Sequence, residues 1–331
     1  MVVIHSYGIA ILLCLITMLC WGSWANMQKL AKNNWPFQLF YWDYAIGIII
    51  LTLIFGFTLG SIGNEGRSFI ADLCQANWMS LLLAFVSGVI FNLANILLVS
   101  AIDIAGMAVA FPIAIGLALV IGVLTNYIAH PIGNAFLLFL GVILIVLAII
   151  VDAFIYKRVG QVQSSTKGII ISVISGILMG YFYRFLAAAM SDNFVQPIAG
   201  KMTPYTAAFI FSIGVFLSNF IFNSIVMRKP FMGDRVYYRQ YFQGNFKTHL
   251  IGIIGGIIWC IGLSLSLIAA GPAGYAISYG LGQGATLVAA LWGVFVWREF
   301  AHATKGTSKY IALMFLFYLV GLIIIILSRI E

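Results

Sequence analysis

Ten apolar runs, each about 20 residues long and so able to span a bilayer, occupy this chain almost from end to end. A chain built this way can satisfy its backbone hydrogen bonds in lipid only by making each run a helix. The apolar stretches are continuous, which excludes an outer-membrane barrel, whose strands alternate residue by residue. Charged residues make up 8% of the chain, against roughly 25% in soluble domains, so a water-facing surface is not available either. The first run, Tyr7 to Trp24, lacks a basic leader and a small-residue cleavage pattern, and is expected to be a retained span rather than a signal peptide. Cys14, Cys20, Cys74 and Cys260 sit at unrelated spacings, and imply neither a disulfide framework nor a metal site.

The hydropathy pattern places helices near 6–27, 36–58, 78–99, 103–127, 135–155, 168–189, 203–226, 248–269, 273–297 and 309–328. Connections 1–2, 5–6, 7–8 and 9–10 hold thirteen basic residues, among them Lys29, Lys32, Lys157, Arg228, Arg239, Arg298, Lys305 and Lys309. The opposite side holds Arg67, Lys201 and Arg329. The positive-inside rule makes the first group cytoplasmic, with both termini outside a cell (inner) membrane. These loops account for the net charge of +8; there is no basic soluble domain, so no nucleic-acid partner is expected.

An internal repeat follows. A shift of 168 positions lays Ala101, Ala105, Gly106, Ala108 and Gly116 on Ala269, Ala273, Gly274, Ala276 and Gly284. A shift of 160 lays Gly8 on Gly168 and Trp24 on Arg184, and Pro36 answers Pro204 at the openings of the second and seventh spans. Each half, 1–160 and 161–331, holds five spans, and an odd number forces the halves into opposite senses. The expected fold is therefore all-α and integral to the membrane: ten transmembrane helices as two inverted five-helix repeats. Such repeats serve transporters that bind substrate near the midplane and expose it alternately to the two faces. Interrupted helices mark such sites, and Pro112 aligns with Gly280, beside Gly282 and Gly284. Close helix packing through small residues is the competing reading.

Polar residues inside spans are expensive and invite a role. Asp43, seven residues after Pro36 and set among aromatic residues, can take and release a proton as a coupling carboxylate must; the alternative is a structural acid bonded to a neighbouring helix end, Lys29 or Lys32. Arg184, near Tyr183, offers a fixed fork of donors, or else snorkels to the outer interface. Trp21 and Trp24 share a helical face and can wall a sugar or heterocycle. Asn92 and Asn95 share a face of the third span, and Tyr275, Tyr279 and Gln283 one of the ninth. These uncharged groups suit a neutral polar solute, and serve equally as interhelical hydrogen bonds. Asp103 and Asp152 fall at span ends, where solvation is expected.

The motifs CWGSW (Cys20–Trp24), YWDYAIG (Tyr41–Gly47) and FTLGSIG (Phe57–Gly63), with TPYTAAFIFSIG (Thr203–Gly214) and NYIA after Thr125, resemble the ureide permease family of the drug/metabolite transporter superfamily. The resemblance covers most of the chain. It implies a ten-helix, proton-coupled importer, whose plant members carry allantoin, related ureides or nucleobases, and by position it implicates Trp21, Trp24, Tyr41 and Asp43. Plant members have a longer central loop with a Walker-like sequence; here residues 156–167 are short and contain no GxxxxGK[ST] pattern, so nucleotide binding is not expected. Neighbouring glucose/ribose porters and rhamnose symporters share the fold and the early signature.

An enzyme would need paired carboxylates, a histidine cluster or metal ligands. His5, His130, His249 and His302 lie scattered near helix ends. A channel would need a filter motif, and a drug exporter a more apolar cavity. The expected function is secondary transport of a small neutral polar metabolite, a ureide, nucleobase or nucleoside first and a sugar second. An ion gradient, of protons before sodium, is the drive. No cofactor or metal is expected, and the lipid bilayer and a small-molecule substrate are the partners.

Overall fold

The structure, a computed structural model, describes residues 1–31, 35–158, 165–298 and 306–330. Lys32, His302 and Lys305 lie outside the described residues. Among the described residues ten helices are long and apolar enough to cross a membrane: α1 (Tyr7–Leu30), α2 (Phe37–Phe57), α3 (Trp78–Ala105), α4 (Met107–Ala129), α5 (Ala135–Arg158), α6 (Thr166–Ala189), α7 (Pro204–Arg228), α8 (Phe246–Ala273), α9 (Tyr275–Val296) and α10 (Thr307–Leu327). Large apolar side chains such as Leu12, Ile143, Ile150, Leu316 and Ile323 face outward, as lipid contact requires.

The tightest connections are single glycines. Gly106 joins α3 to α4 at φ 77°, and Gly274 joins α8 to α9 at φ 85°, a conformation that glycine adopts without steric penalty. α3 and α8 therefore run on to Ala105 and Ala273, past the ends that hydropathy places at 99 and 269, and α4 and α9 begin at Met107 and Tyr275, later than 103 and 273. Pro112 consequently stands only six residues into α4, near its start rather than at mid-span. Asn77 and Asn245, also 168 positions apart, cap α3 and α8 by accepting from Ser80 N and Thr248 N at 2.7 and 2.9 Å. Such caps satisfy one of the amides a helix start leaves unpaired.

Helix pairing has a matched pattern. α3 packs on α6 as α8 does on α1, α4 on α6 as α9 on α1, and α2 on α8 as α7 on α3. Glycines permit the last two crossings. A Cβ at Gly47 would strike the Ile253 carbonyl, and one at Gly256 the Tyr44 carbonyl. In the partner crossing, Gly214 meets the Phe85 carbonyl and Gly88 that of Phe211. Gly256→Ala is expected to destabilise the protein by about 1–3 kcal/mol through overpacking. Gly116→Ala, where nothing lies within 4 Å, should leave the melting temperature of purified protein unchanged or slightly raised.

Asp152 departs from expectation. α5 continues to Arg158, so the carboxylate lies well inside the helix and is only 7% exposed, rather than solvated at a span end. Asp152 and Asp43 are thus both buried acids inside spanning helices.

The face bearing both termini is tied together around Arg67. Its guanidinium donates to Asp72 Oδ1 (2.8 Å) and to the carbonyls of Pro197 (2.9 Å) and Lys201 (2.5 Å). Asp72 Oδ2 accepts from Thr203 N at 2.7 Å, capping the start of α7.

Candidate functional site

A cavity of about 420 Å³ lies between α1, α3, α4, α6, α8 and α9, within the size range of small-molecule sites. Its walls are aromatic: Trp21 and Trp24 of α1, Phe91 of α3, Phe111 of α4, Phe182 of α6 and Trp259 of α8. Asn95, Gln283 and Thr286 supply hydrogen-bonding groups, and Gln28, Lys29 and Asp103 stand at the mouth. That mouth lies at the basic face, where α1 and α3 end.

Trp21 and Trp259 form the centre of the wall, stacked at 6.1 Å with planes 14° apart. Trp21 Nε1 donates to the Trp259 carbonyl at 3.2 Å, which fixes the ring. Side chains at Gly262 and Gly282 would occupy the space of that ring, so these glycines make its seat. Phe91 and Phe211 pack against Trp259 at 4.2 and 5.9 Å. Trp24 lies on Tyr44 at 4.9 Å. α9 breaks at Gln283–Gly284, between helical segments Tyr275–Gly282 and Ala285–Leu291, and the break delivers the Gln283 amide to the cavity. Gly284 thus sits in the interruption itself. Gly280 packs near Val123 instead.

Of the residues singled out from sequence, Trp21, Trp24, Asn95 and Gln283 line the cavity. Tyr41 stands one step behind, fully buried, with its hydroxyl accepting from Asn95 Nδ2 at 3.2 Å. Asn92 points away and donates to Ser218 Oγ of α7 at 2.8 Å, an interhelical bond. Tyr183, Tyr275 and Tyr279 do not line the cavity. Tyr183 bonds Ser266, Tyr275 the Ser191 carbonyl, and Tyr279 the carbonyls of Ala118 and Met179. Arg184 lies towards the far end of α6, also outside the cavity, and its Nη1 is buried without a partner among the described residues. Spacing placed each of these on a helical face, but it could not say which stretch of that face borders the cavity.

Asp43 lies outside the cavity too, at the basic end of the α2–α8 crossing. It is 1% exposed, and its Oδ1 accepts from Tyr241 OH at 2.7 Å and bonds His249 Nδ1 at 2.9 Å. Its Oδ2 is buried with no partner among the described residues. Gly252 makes room, since a Cβ there would meet that of Asp43. Tyr241 comes from a short helix, Tyr238–Phe242, in the α7–α8 connection. Burial, and then the bond to and charge of Asp43, hold its hydroxyl above the ordinary phenol range, so it stays a donor. Trp35 covers the group, edge-on to His249 at 5.1 Å. Of the two lysines considered as partners, Lys29 lies over the Trp297 ring at 4.8 Å, and Lys32 is outside the described residues. Sequence reading missed Tyr241 and His249, which belong to a loop and a helix start. It also missed Trp259, although the shift of 168 sets Phe91 on it.

Ten spanning helices around a solute-sized, aromatic-walled cavity open to one face define a multi-pass membrane protein built to hold a small molecule. A sequence model of the family described as Ureide permease matches residues 40–165 and 157–328, and this chain belongs to that family; it is a membrane transporter. Ureide permease 1 of Arabidopsis thaliana is 24% identical over 390 aligned positions, covering 99% of each chain. Probable ureide permease A3 of Vigna unguiculata is 33% identical over 144 positions, covering 42% of this chain and 38% of that one. A solved crystal structure superposes with a TM-score of 0.61 at 15% identity, over 98% of this chain and 99% of its own; this similarity concerns the fold alone. The two matched segments overlap at residues 157–165.

Proposed function

We propose that this protein carries a flat, neutral, hydrogen-bonding solute, a ureide or nucleobase, through the described cavity, driven by protons. The carrying observation is the cavity's lining. Tryptophan and phenylalanine rings supply faces for a planar ring, at about 1–3 kcal/mol per stacked base in comparable sites. Asn95 and Gln283 supply a donor and an acceptor each. The charged groups, Lys29 and Asp103, are confined to the mouth, so a formally charged solute would lose hydration without a buried counter-charge. The relatives' name, ureide permease, points to the same class. A sugar is the second candidate, since indole faces also receive sugars.

The reading includes two inverted five-helix repeats, 1–160 and 161–331. Matched helix pairing, the paired glycine turns and the reciprocal glycine contacts support it. It also includes Asp43 as the proton site. Its Oδ2, buried with no partner among the described residues, is where a proton would reside, and His249, partly exposed, offers a route to it. Adjacent Tyr44 packs on Trp24 and lies 6.2 Å from Trp259, so movement at Asp43 reaches the cavity wall.

Isothermal titration calorimetry of purified protein tests the ligand class. Binding of allantoin or uracil, with glucose and rhamnose inert, is the expected result; sugar binding alone would transfer the protein to the second reading. The basic face is proposed to be cytoplasmic. In a cysteine-free background, Asn64→Cys should react with an impermeant maleimide on intact cells, and Arg235→Cys only after permeabilisation. The reverse pattern would invert the topology.

A further inference from the structure

We infer that the chain holds a second vestibule on the face opposite the cavity mouth, shut in this structure, and that Arg184 is its substrate-recognising group. The inference rests on the inverted-repeat reading proposed above. Exchanging the halves converts the residues of the open mouth into those of the opposite vestibule. The shift of 168 turns Leu98, Ile102 and Asp103 of the mouth into Ser266, Ala270 and Gly271 of α8, and Phe111 into Tyr279 of α9. The shift of 160 turns Trp24 into Arg184 and Gln28 into Ala188 of α6.

Those positions are where the far face is sealed by hydrogen bonds. Tyr183 OH meets Ser266 Oγ at 3.0 Å, and Ser266 Oγ meets Ser278 Oγ at 2.9 Å. Ser278 Oγ also donates to the Ser266 carbonyl at 2.6 Å, and Tyr279 OH to the Met179 carbonyl at 3.1 Å. Above this layer Tyr275 OH donates to the Ser191 carbonyl at 3.2 Å, and His130 Nδ1 pairs with Asp192 Oδ1 at 3.3 Å. A ring, Phe194, lies over Gly271. The seal thus joins α6, α8 and α9, the counterparts of α1, α3 and α4, whose ends part to form the mouth.

Each bond of the seal is side chain to side chain or side chain to carbonyl, and each is individually modest, worth about two- to tenfold in the opening equilibrium. Such a set can open without unravelling a helix. Arg184, next in the chain to Tyr183 of the seal, has Nη1 buried with no partner among the described residues, a costly arrangement for a guanidinium that offers five donors. Opening the seal would set those donors in the vestibule, where they match the carbonyl oxygens of a ureide or nucleobase. The inner mouth has Trp24 at the equivalent position, so the two faces would greet the solute differently.

The test uses cysteine-free protein in nanodiscs, where both faces are accessible and no substrate is needed. Leu98→Cys should react quickly with a hydrophilic maleimide and Ala270→Cys slowly. Adding Tyr183→Phe with Ser266→Ala should raise the Ala270→Cys rate about tenfold, as loss of one to two such bonds predicts, and lower that of Leu98→Cys. Asn64→Cys reports that both proteins are equally folded. Unchanged rates at Ala270 and Leu98 in the folded double variant would overturn the vestibule, whatever the substrate proves to be. For Arg184, sided uptake in proteoliposomes with labelled allantoin or uracil reads recognition. Arg184→Gln should raise KM about tenfold or more for solute offered at the far face and leave KM at the mouth face unchanged. Equal change at both faces, or at neither, would remove Arg184 from the vestibule.

Discussion

Asp43→Asn is expected to abolish accumulation of substrate against its gradient while leaving one-for-one exchange intact. The amide fits the carboxylate's space and its oxygen still accepts from Tyr241, so the α2–α8 crossing keeps its shape. What it loses is the capacity to alternate between a charged and a neutral form. A carrier that accumulates must bind its driving ion differently in its two orientations, because a ligand shifts an equilibrium only by its differential affinity. Exchange needs no such alternation. His249→Ala should give an intermediate result: it removes one of two bonds to Asp43 Oδ1, worth about 1.5–3 kcal/mol for a charged partner, without removing the proton site. Counterflow and gradient-driven uptake measured on one preparation separate these outcomes. Normal accumulation by Asp43→Asn would take Asp43 out of the coupling mechanism and leave it a structural acid that ties α2 to α8 and the Tyr238–Phe242 helix.

The second large effect belongs to Trp259. Trp259→Ala removes the ring on which Trp21, Phe91 and Phe211 all pack, and with it the centre of the aromatic wall that lines the cavity. Loss of one stacking partner, about 1–3 kcal/mol, corresponds to binding about 5- to 150-fold weaker. Trp259→Phe, which keeps a ring face, should stay within a few-fold of the wild type. Calorimetric titration with uracil or allantoin decides. Equal affinity in Trp259→Ala protein that elutes and melts normally would show that the substrate does not stack on this wall.

Much of the fold was legible because lipid imposes one rule on every span. Each run of about twenty apolar residues became a helix, and the basic loops marked one face. Helix ends were harder to read. Gly106 and Gly274 turn the chain within one residue, which hydropathy averages away, and Asp152 was misplaced when α5 proved longer than its apolar run. The cavity was half legible. Trp21, Trp24, Asn95 and Gln283 declared themselves as polar or amphipathic groups on shared helical faces. The same signal chose Tyr183, Tyr275 and Tyr279, which instead make hydrogen bonds outside the cavity, because periodicity fixes a direction around a helix and says nothing of depth. His249 and Tyr241 carried no signal from their neighbours in sequence, since their partner Asp43 is some two hundred residues away. Trp259 could have been found by carrying the repeat one step further, to the residue that answers Phe91.

The central claim, proton-driven passage of a neutral ureide or nucleobase, is tested most directly by radiolabelled uptake into proteoliposomes containing the purified protein. The panel is allantoin, uracil, a nucleoside, glucose, ribose and rhamnose, each with and without an imposed proton gradient. Uptake of allantoin or uracil that rises with the gradient and collapses with a protonophore is the expected result. Gradient-insensitive uptake, or uptake confined to the sugars, from protein shown to be folded would contradict it.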